Sequence, residues 1–180
     1  MRFIHLVQLL QADHLRLGAP SFVRYMLAPL NPRFIPVLLV RLSRFFWLSK
    51  WFRFLSPIFT WLNVLLFGLE FTPRCDVGPG LMLPHTVGTV VGAYKIGSNV
   101  TIFQGVTLGA QYADLTFTSN RRPILADGVT VGAGAMVLGG IFIGKGATIA
   151  ANSLVIGDVE EGATMIGVPA VARESRGQKI

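Results

Sequence analysis

Aliphatic and aromatic residues recur at every sixth position through the second part of the chain. They fall at Phe71, Val77 and Leu83, and after one extra residue at Val90, Ile96, Ile102 and Leu108. After a gap they return at Leu125, Val131, Val137, Ile143, Ile149 and Val155. The residue four further on is usually small or aliphatic, as at Cys75, Leu81, Val87, Val100, Val106, Ala135 and Ala147, and Gly follows the lead residue at 78, 97, 109, 132 and 144. A helix needs a period near 3.6 and tolerates little Gly. A period of six predicts a parallel β-helix. Each hexad gives one short strand and a turn, and three hexads close a triangular coil. The lead residue points inward onto its equivalent about 18 positions later, and successive coils pair their backbones about 4.7–4.9 Å apart.

The breaks in the period are the first hint of a site. The extra residue lies between Leu83 and Val90, beside His85. The gap from Leu108 to Leu125 predicts an extruded loop over 109–123, and loops of that length inside a packed solenoid are usually functional. His85 is the third residue of its hexad and Gln104 the third of the hexad one coil on, so the two should be near neighbours at a corner.

The chain before Gly68 follows a different pattern. Phe34–Leu48 and Phe54–Leu69 are apolar runs, which predict two short helices with a break near Ser49. The longer uncharged run contains Pro57 and Asn63 and is short of the roughly 20 residues a membrane span requires. The start, MRFIHLVQLLQADH, makes a poor signal peptide because Gln8, Gln11 and Asp13 interrupt its apolar run. A cytosolic protein is expected, with the inner membrane face as a further site of contact.

Composition sharpens this division. The 180 residues carry a net charge of +7. Residues 1–68 account for all of it, with Arg2, Arg16, Arg24, Arg33, Arg41, Arg44, Lys50 and Arg53 against Asp13 alone. All three Trp lie there too. Nucleic acid is a poor fit, because these basic residues sit among Leu, Phe and Trp and no nucleic-acid motif is present. A membrane surface or an oligomer contact fits better. The single Cys75 excludes a disulfide framework and a Cys-based zinc cluster. With only His5, His14 and His85, a three-His metal site would need both N-terminal histidines, so no metal is expected.

The stretch GLEFTPRCDVGPGLMLPHTVGTVVGAYKIGSNVTIFQGVTLGA, followed by RRPILADGVTVGAGAMVLGGIFIGKGATIAANSLVIGDV and IGVPA, resembles the serine acetyltransferase family over roughly residues 68–172. It also resembles the short relatives that O-acetylate sugars for bacterial exopolysaccharide. The resemblance implies a mainly β protein: a left-handed parallel β-helix of hexapeptide repeats over 69–172, after a short helical segment over 1–68 and before a tail over 173–180. It implies a homotrimer that uses acetyl-CoA. His85 would be the general base, a role worth about 10²–10⁴-fold in rate, with Glu70 as the carboxylate that orients it. Arg121 matches the Arg that holds the serine carboxylate, and Arg122 and Gln104 join it as acceptor contacts. CoA contacts fall at Ala110, Ala133 and Ala151, with Lys145 and Arg173 toward its phosphates.

Two departures bear on the acceptor. Pro84 stands where serine acetyltransferases carry a carboxylate that helps bind the amino acid, and Arg122 stands where they carry His. Both argue for a neutral or anionic acceptor. The sequence thus favours a sugar or glycan hydroxyl of cell-surface polysaccharide synthesis. Serine O-acetylation for cysteine synthesis and a non-catalytic scaffold are the alternatives.

Overall fold

The structure is a computed structural model that describes residues 3–18 and 31–173. Three helices come first: α1 (Phe3–Leu15), α2 (Ile35–Trp47) and α3 (Ser56–Phe67), with a 3₁₀ turn at Arg53–Leu55 between the last two. Pro36 and Pro57 open α2 and α3, where a missing N–H does no harm. Gly68, in the left-handed region at φ 60°, closes α3, with its N–H on the Val64 carbonyl. The first strand begins at the next residue.

Fourteen short strands then form three faces of a prism. The first face stacks β1 (Leu69–Phe71), β3 (Thr89–Val91), β6 (Thr107–Gly109), β9 (Met136–Leu138) and β12 (Leu154–Val155). The second stacks β2 (Asp76–Val77), β4 (Lys95–Ile96), β7 (Ile124–Leu125) and β10 (Phe142–Ile143). The third stacks β5 (Thr101–Ile102), β8 (Thr130–Val131), β11 (Thr148–Ile149) and β13 (Thr164–Gly167). Pairing is parallel throughout, except that β14 (Ala170–Ala172) folds back antiparallel on β13 and covers that end. This is the β-helix that the hexad period predicts. Its core is three columns of stacked aliphatic side chains, such as Ile102, Val131 and Ile149, none of them exposed.

One lead residue is displaced. The period puts Val90 inward, but Val91 is the buried residue and stacks between Phe71 and Leu108, while Val90 points out. The turn after Leu83 takes up two residues more than a regular hexad, and the next hexad is one shorter. Because strand side chains alternate, an odd slip moves the neighbour into the core. Val87, on the same widened turn, is 73 % exposed.

The helices are locked to the first coil by a buried ion pair. Arg41 Nε and one terminal nitrogen donate to the two Asp13 carboxylate oxygens, each at 2.8 Å. Both side chains are almost completely buried. Arg41 also donates to the carbonyls of Val77 at 2.7 Å and Gly78 at 2.6 Å, and Asp13 accepts the Leu81 N–H at 2.8 Å. Arg16 reaches the Thr101 hydroxyl at 2.9 Å, and Arg44 reaches the Pro73 and Arg74 carbonyls and Asp76. Three basic residues expected to face an outer surface therefore face the β-helix. Among the described residues no helix is long and apolar enough to cross a membrane.

Removing one member of a buried, fully bonded pair leaves the other charge stranded. Arg41→Met or Asp13→Asn should therefore lower stability by about 3–5 kcal/mol, read as a fall in the urea midpoint. An unchanged midpoint would show that the helices do not depend on the pair.

Candidate functional site

Each prism corner carries the residues two positions after an inward lead residue. At the corner after the third face these are His85, Gln104, Ala133 and Ala151, which follow Leu83, Ile102, Val131 and Ile149. The Gly134 N–H bonds the Gln104 carbonyl at 2.9 Å, and the Asn152 N–H bonds the Ala133 carbonyl at 2.8 Å. The structure thus puts His85 and Gln104 at one corner, as the register predicts, with two of the expected CoA positions above them in the same column. A Cβ on Gly132 would come within 2.7 Å of the Ala151 nitrogen, so only Gly lets these coils close here.

His85 is exposed on the widened turn. Two bonds tie that turn to the end of α3: Thr86 Oγ1 donates to the Phe67 carbonyl at 2.9 Å, and the Gly88 N–H donates to Gly68 at 3.0 Å. Pro32, Arg33, Phe67, Pro84 and Val87 surround the imidazole in a shallow cleft. Arg33 is a neighbour that the hexad register could not supply, since it comes from the helical segment.

Glu70 lies on the outward side of the first face and lines a different cleft, of about 520 Å³, with Thr72, Arg74, Tyr112, Asp114 and Arg122. No hydrogen bond or ion pair joins Glu70 to His85. The expected orienting contact is therefore not formed in the isolated chain.

The remaining predicted contacts lie on other edges. Ala110 starts the extruded loop after the first face and lines a cleft with Arg121, Tyr112, Asn120 and Gly140. Gly140 packs against the Asn120 carbonyl so closely that any Cβ would push the loop away. Lys145 sits at the corner after the second face, away from Ala133 and Ala151, so a single chain does not bring it to them. The Arg173 N–H pairs with the Thr164 carbonyl at 2.7 Å.

Arg122 is a loop clamp. Its three side-chain nitrogens donate to the Asp114 carboxylate at 3.2 Å, the Asp114 carbonyl at 2.8 Å and the Gly92 carbonyl at 2.9 Å. Its guanidinium lies 4.2 Å from the centre of the Phe117 ring, and Arg74 approaches the same ring at 5.6 Å. Phe117 is held at φ 60°, a strained conformation for a bulky residue. Arg122, expected as an acceptor contact, lines the Glu70 cleft with its charge already paired to Asp114. Arg74 also donates to the Thr116 carbonyl at 2.9 Å and stands 5.3 Å from the Trp47 ring, so it ties the loop to α2.

Burial alone would raise the Asp114 carboxyl. The Thr118 N–H, the Thr116 and Thr118 hydroxyls and the Arg122 charge outweigh it and hold the group down at about 2. Burial pushes the Cys75 thiol far up, so it is no nucleophile at neutral pH. Among the described residues no cluster of three or more His, Cys, Asp or Glu could hold a metal ion.

No family model matches the chain. It is 39 % identical over 120 residues to the serine acetyltransferase of Helicobacter pylori strain J99, a match covering 66 % of this chain and 68 % of that protein. It is 36 % identical over 141 residues to that of Bacillus pumilus, covering 78 % of this chain and 63 % of the relative. Against several curated relatives the chain spans only about half to two thirds of their length. The crystal structure of Neisseria gonorrhoeae serine acetyltransferase superposes with a TM-score of 0.82 at 31 % identity, over 99 % of this chain and 69 % of that one. This likeness carries the left-handed β-helix.

The Asp114 carboxyl falls below its usual 3.8, so the stabilisation it gives is full above that pH and is lost as pH falls through about 2. Asp114→Asn should remove the charge pair with Arg122, loosen the loop and speed proteolysis within 109–123 by roughly tenfold at neutral pH, with the β-helix intact by circular dichroism. An unchanged cleavage rate would rule out the clamp.

Proposed function

Because the chain belongs to the serine acetyltransferase family, we propose that it is an acetyl-CoA-dependent O-acetyltransferase with His85 as its general base. The observation that carries this reading is the corner column of His85, Gln104, Ala133 and Ala151. The small side chains of Ala133 and Ala151 leave backbone groups open to a thin pantetheine arm, and Gln104 Oε1 is buried without a hydrogen-bond partner among the described residues. An arm running down this corner delivers its thioester to the exposed imidazole. His85 takes the proton of the acceptor hydroxyl as its oxygen attacks the acetyl carbon. The C–S bond then breaks, the sulfur leaves as thiolate, and the imidazolium returns the proton to it. The products are the acetyl ester and CoA.

Arg121 and the loop leave the prism from a different corner than His85. A neighbouring copy, as in the expected homotrimer, would supply the loop of one chain to the His85 corner of the next.

L-Serine is the first acceptor in this reading. The relatives named above are serine acetyltransferases, and related structures contain serine and CoA. With Arg122 neutralised by Asp114, the loop offers one free guanidinium, Arg121, to an acceptor carboxylate. One observation favours a saccharide instead. The His85 cleft holds Pro84 and Arg33 and, among its described lining, no carboxylate to meet an ammonium group.

His85→Ala should lower kcat by about 10²–10⁴-fold while CoA affinity is nearly kept. Near-normal turnover would overturn the mechanism. Thioester cleavage compared across L-serine and neutral or anionic sugars decides the acceptor. Serine-dependent turnover supports the first reading, and turnover with sugars alone reverses the order.

A further inference from the structure

Helix α3 is inside out. Its buried side carries Ser56, Thr60 and Asn63, held by hydrogen bonds to α2. Ser56 Oγ donates to the Ser43 carbonyl at 2.8 Å, Ser43 and Thr60 hydroxyls meet at 2.8 Å, and Asn63 Nδ2 donates to the Pro36 carbonyl at 3.1 Å. Its outer side is a stripe of Ile58, Trp61, Leu62, Leu65 and Leu66 at helical spacing, continued by Phe54 of the preceding 3₁₀ turn, all exposed. Trp51, Phe54 and Leu65 are 81 %, 70 % and 74 % exposed. A helix at a water interface has the opposite pattern, and contiguous apolar surface of this kind marks a contact.

We propose that this stripe docks on an anionic bilayer, with α3 lying along the membrane surface. Three observations select that occupant. First, Lys50 and Arg53 stand at the N-terminal end of the stripe beside Trp51, an aromatic and basic border suited to lipid headgroups. Second, the only acid before Glu70 is Asp13, which is buried against Arg41. A second copy laid on the stripe would bring cations and no exposed acid from this segment, whereas an anionic leaflet supplies the missing charge. Third, α3 is too short to span, so its apolar side can be satisfied at the interface without insertion.

The basic border of the stripe reaches toward the Glu70 cleft. Arg53 and Arg74 stand 4.1 and 5.3 Å from the Trp47 ring, and Arg74 lines the Glu70 cleft and holds the extruded loop. Docking along α3 would bring that cleft close to the headgroups. The proposal does not depend on which acceptor the enzyme uses.

The test uses the full chain with vesicles of phosphatidylcholine alone and with about one quarter phosphatidylglycerol. Partitioning should be about tenfold stronger on the anionic vesicles, reduced but not abolished by salt, and brominated acyl chains should quench tryptophan fluorescence. The Trp61→Glu, Leu65→Glu double variant should lose most of the binding while keeping its circular dichroism spectrum and its mass by light scattering. Wild-type protein that ignores both vesicles overturns the proposal, as does equal binding by the double variant. A double variant that keeps its fold but falls to a smaller assembly would show that the stripe joins copies of the chain, which also overturns it.

Discussion

The backbone of each coil must meet the coil below it in register, and every other feature of the molecule answers to that requirement. Inward residues such as Val131 and Ile149 stack because a regular coil returns after 18 residues. Any surplus has to leave at a corner, since a strand cannot absorb it without turning its side chains inside out. The last coil falls two residues short, with Val159 inward beside Ile143, but the chain overruns the register at two places, at the turn around His85 and at the loop over 109–123. The site is built from these two departures. The regular coils at the corner after the third face carry Gln104, Ala133 and Ala151, and the widened turn adds an exposed imidazole outside the core.

The ends of such a stack need cover, because an open coil presents unpaired backbone groups and apolar side chains. At one end β14 turns back on β13. At the other the helices do the work through Arg41 and Asp13, which reach carbonyls and an N–H of the first coil. The same end carries Arg33 into the His85 cleft and Arg74 between Trp47 and Phe117. Helices, loop and imidazole are therefore parts of one arrangement.

The repeat and its two breaks are legible in the sequence because a hexad needs only local spacing to be recognised. The corner shared by His85 and Gln104 follows from counting along those hexads. Val91 was not legible, since one extra residue in the count and two in space cannot be told apart without seeing which side chain is buried. The Arg122–Asp114 clamp was hidden for another reason: its partners lie within an irregular loop that has no period to count. The Arg41–Asp13 pair joins residues 28 apart on two helices, and nothing local marks them as partners. The inverted pattern of α3 was written in the positions of Ser56, Thr60 and Asn63, but reading it requires knowing which side of the helix meets α2.

The central claim is that CoA runs down the corner above His85. Hydrogen exchange of the wild-type chain with and without CoA tests it directly. The account predicts slower exchange at Gln104–Gly105, Ala133–Gly134 and Ala151–Asn152, with little change at Lys145–Gly146 on the next corner. Protection centred on Lys145–Gly146, or none along the His85 corner at saturating CoA, would contradict it.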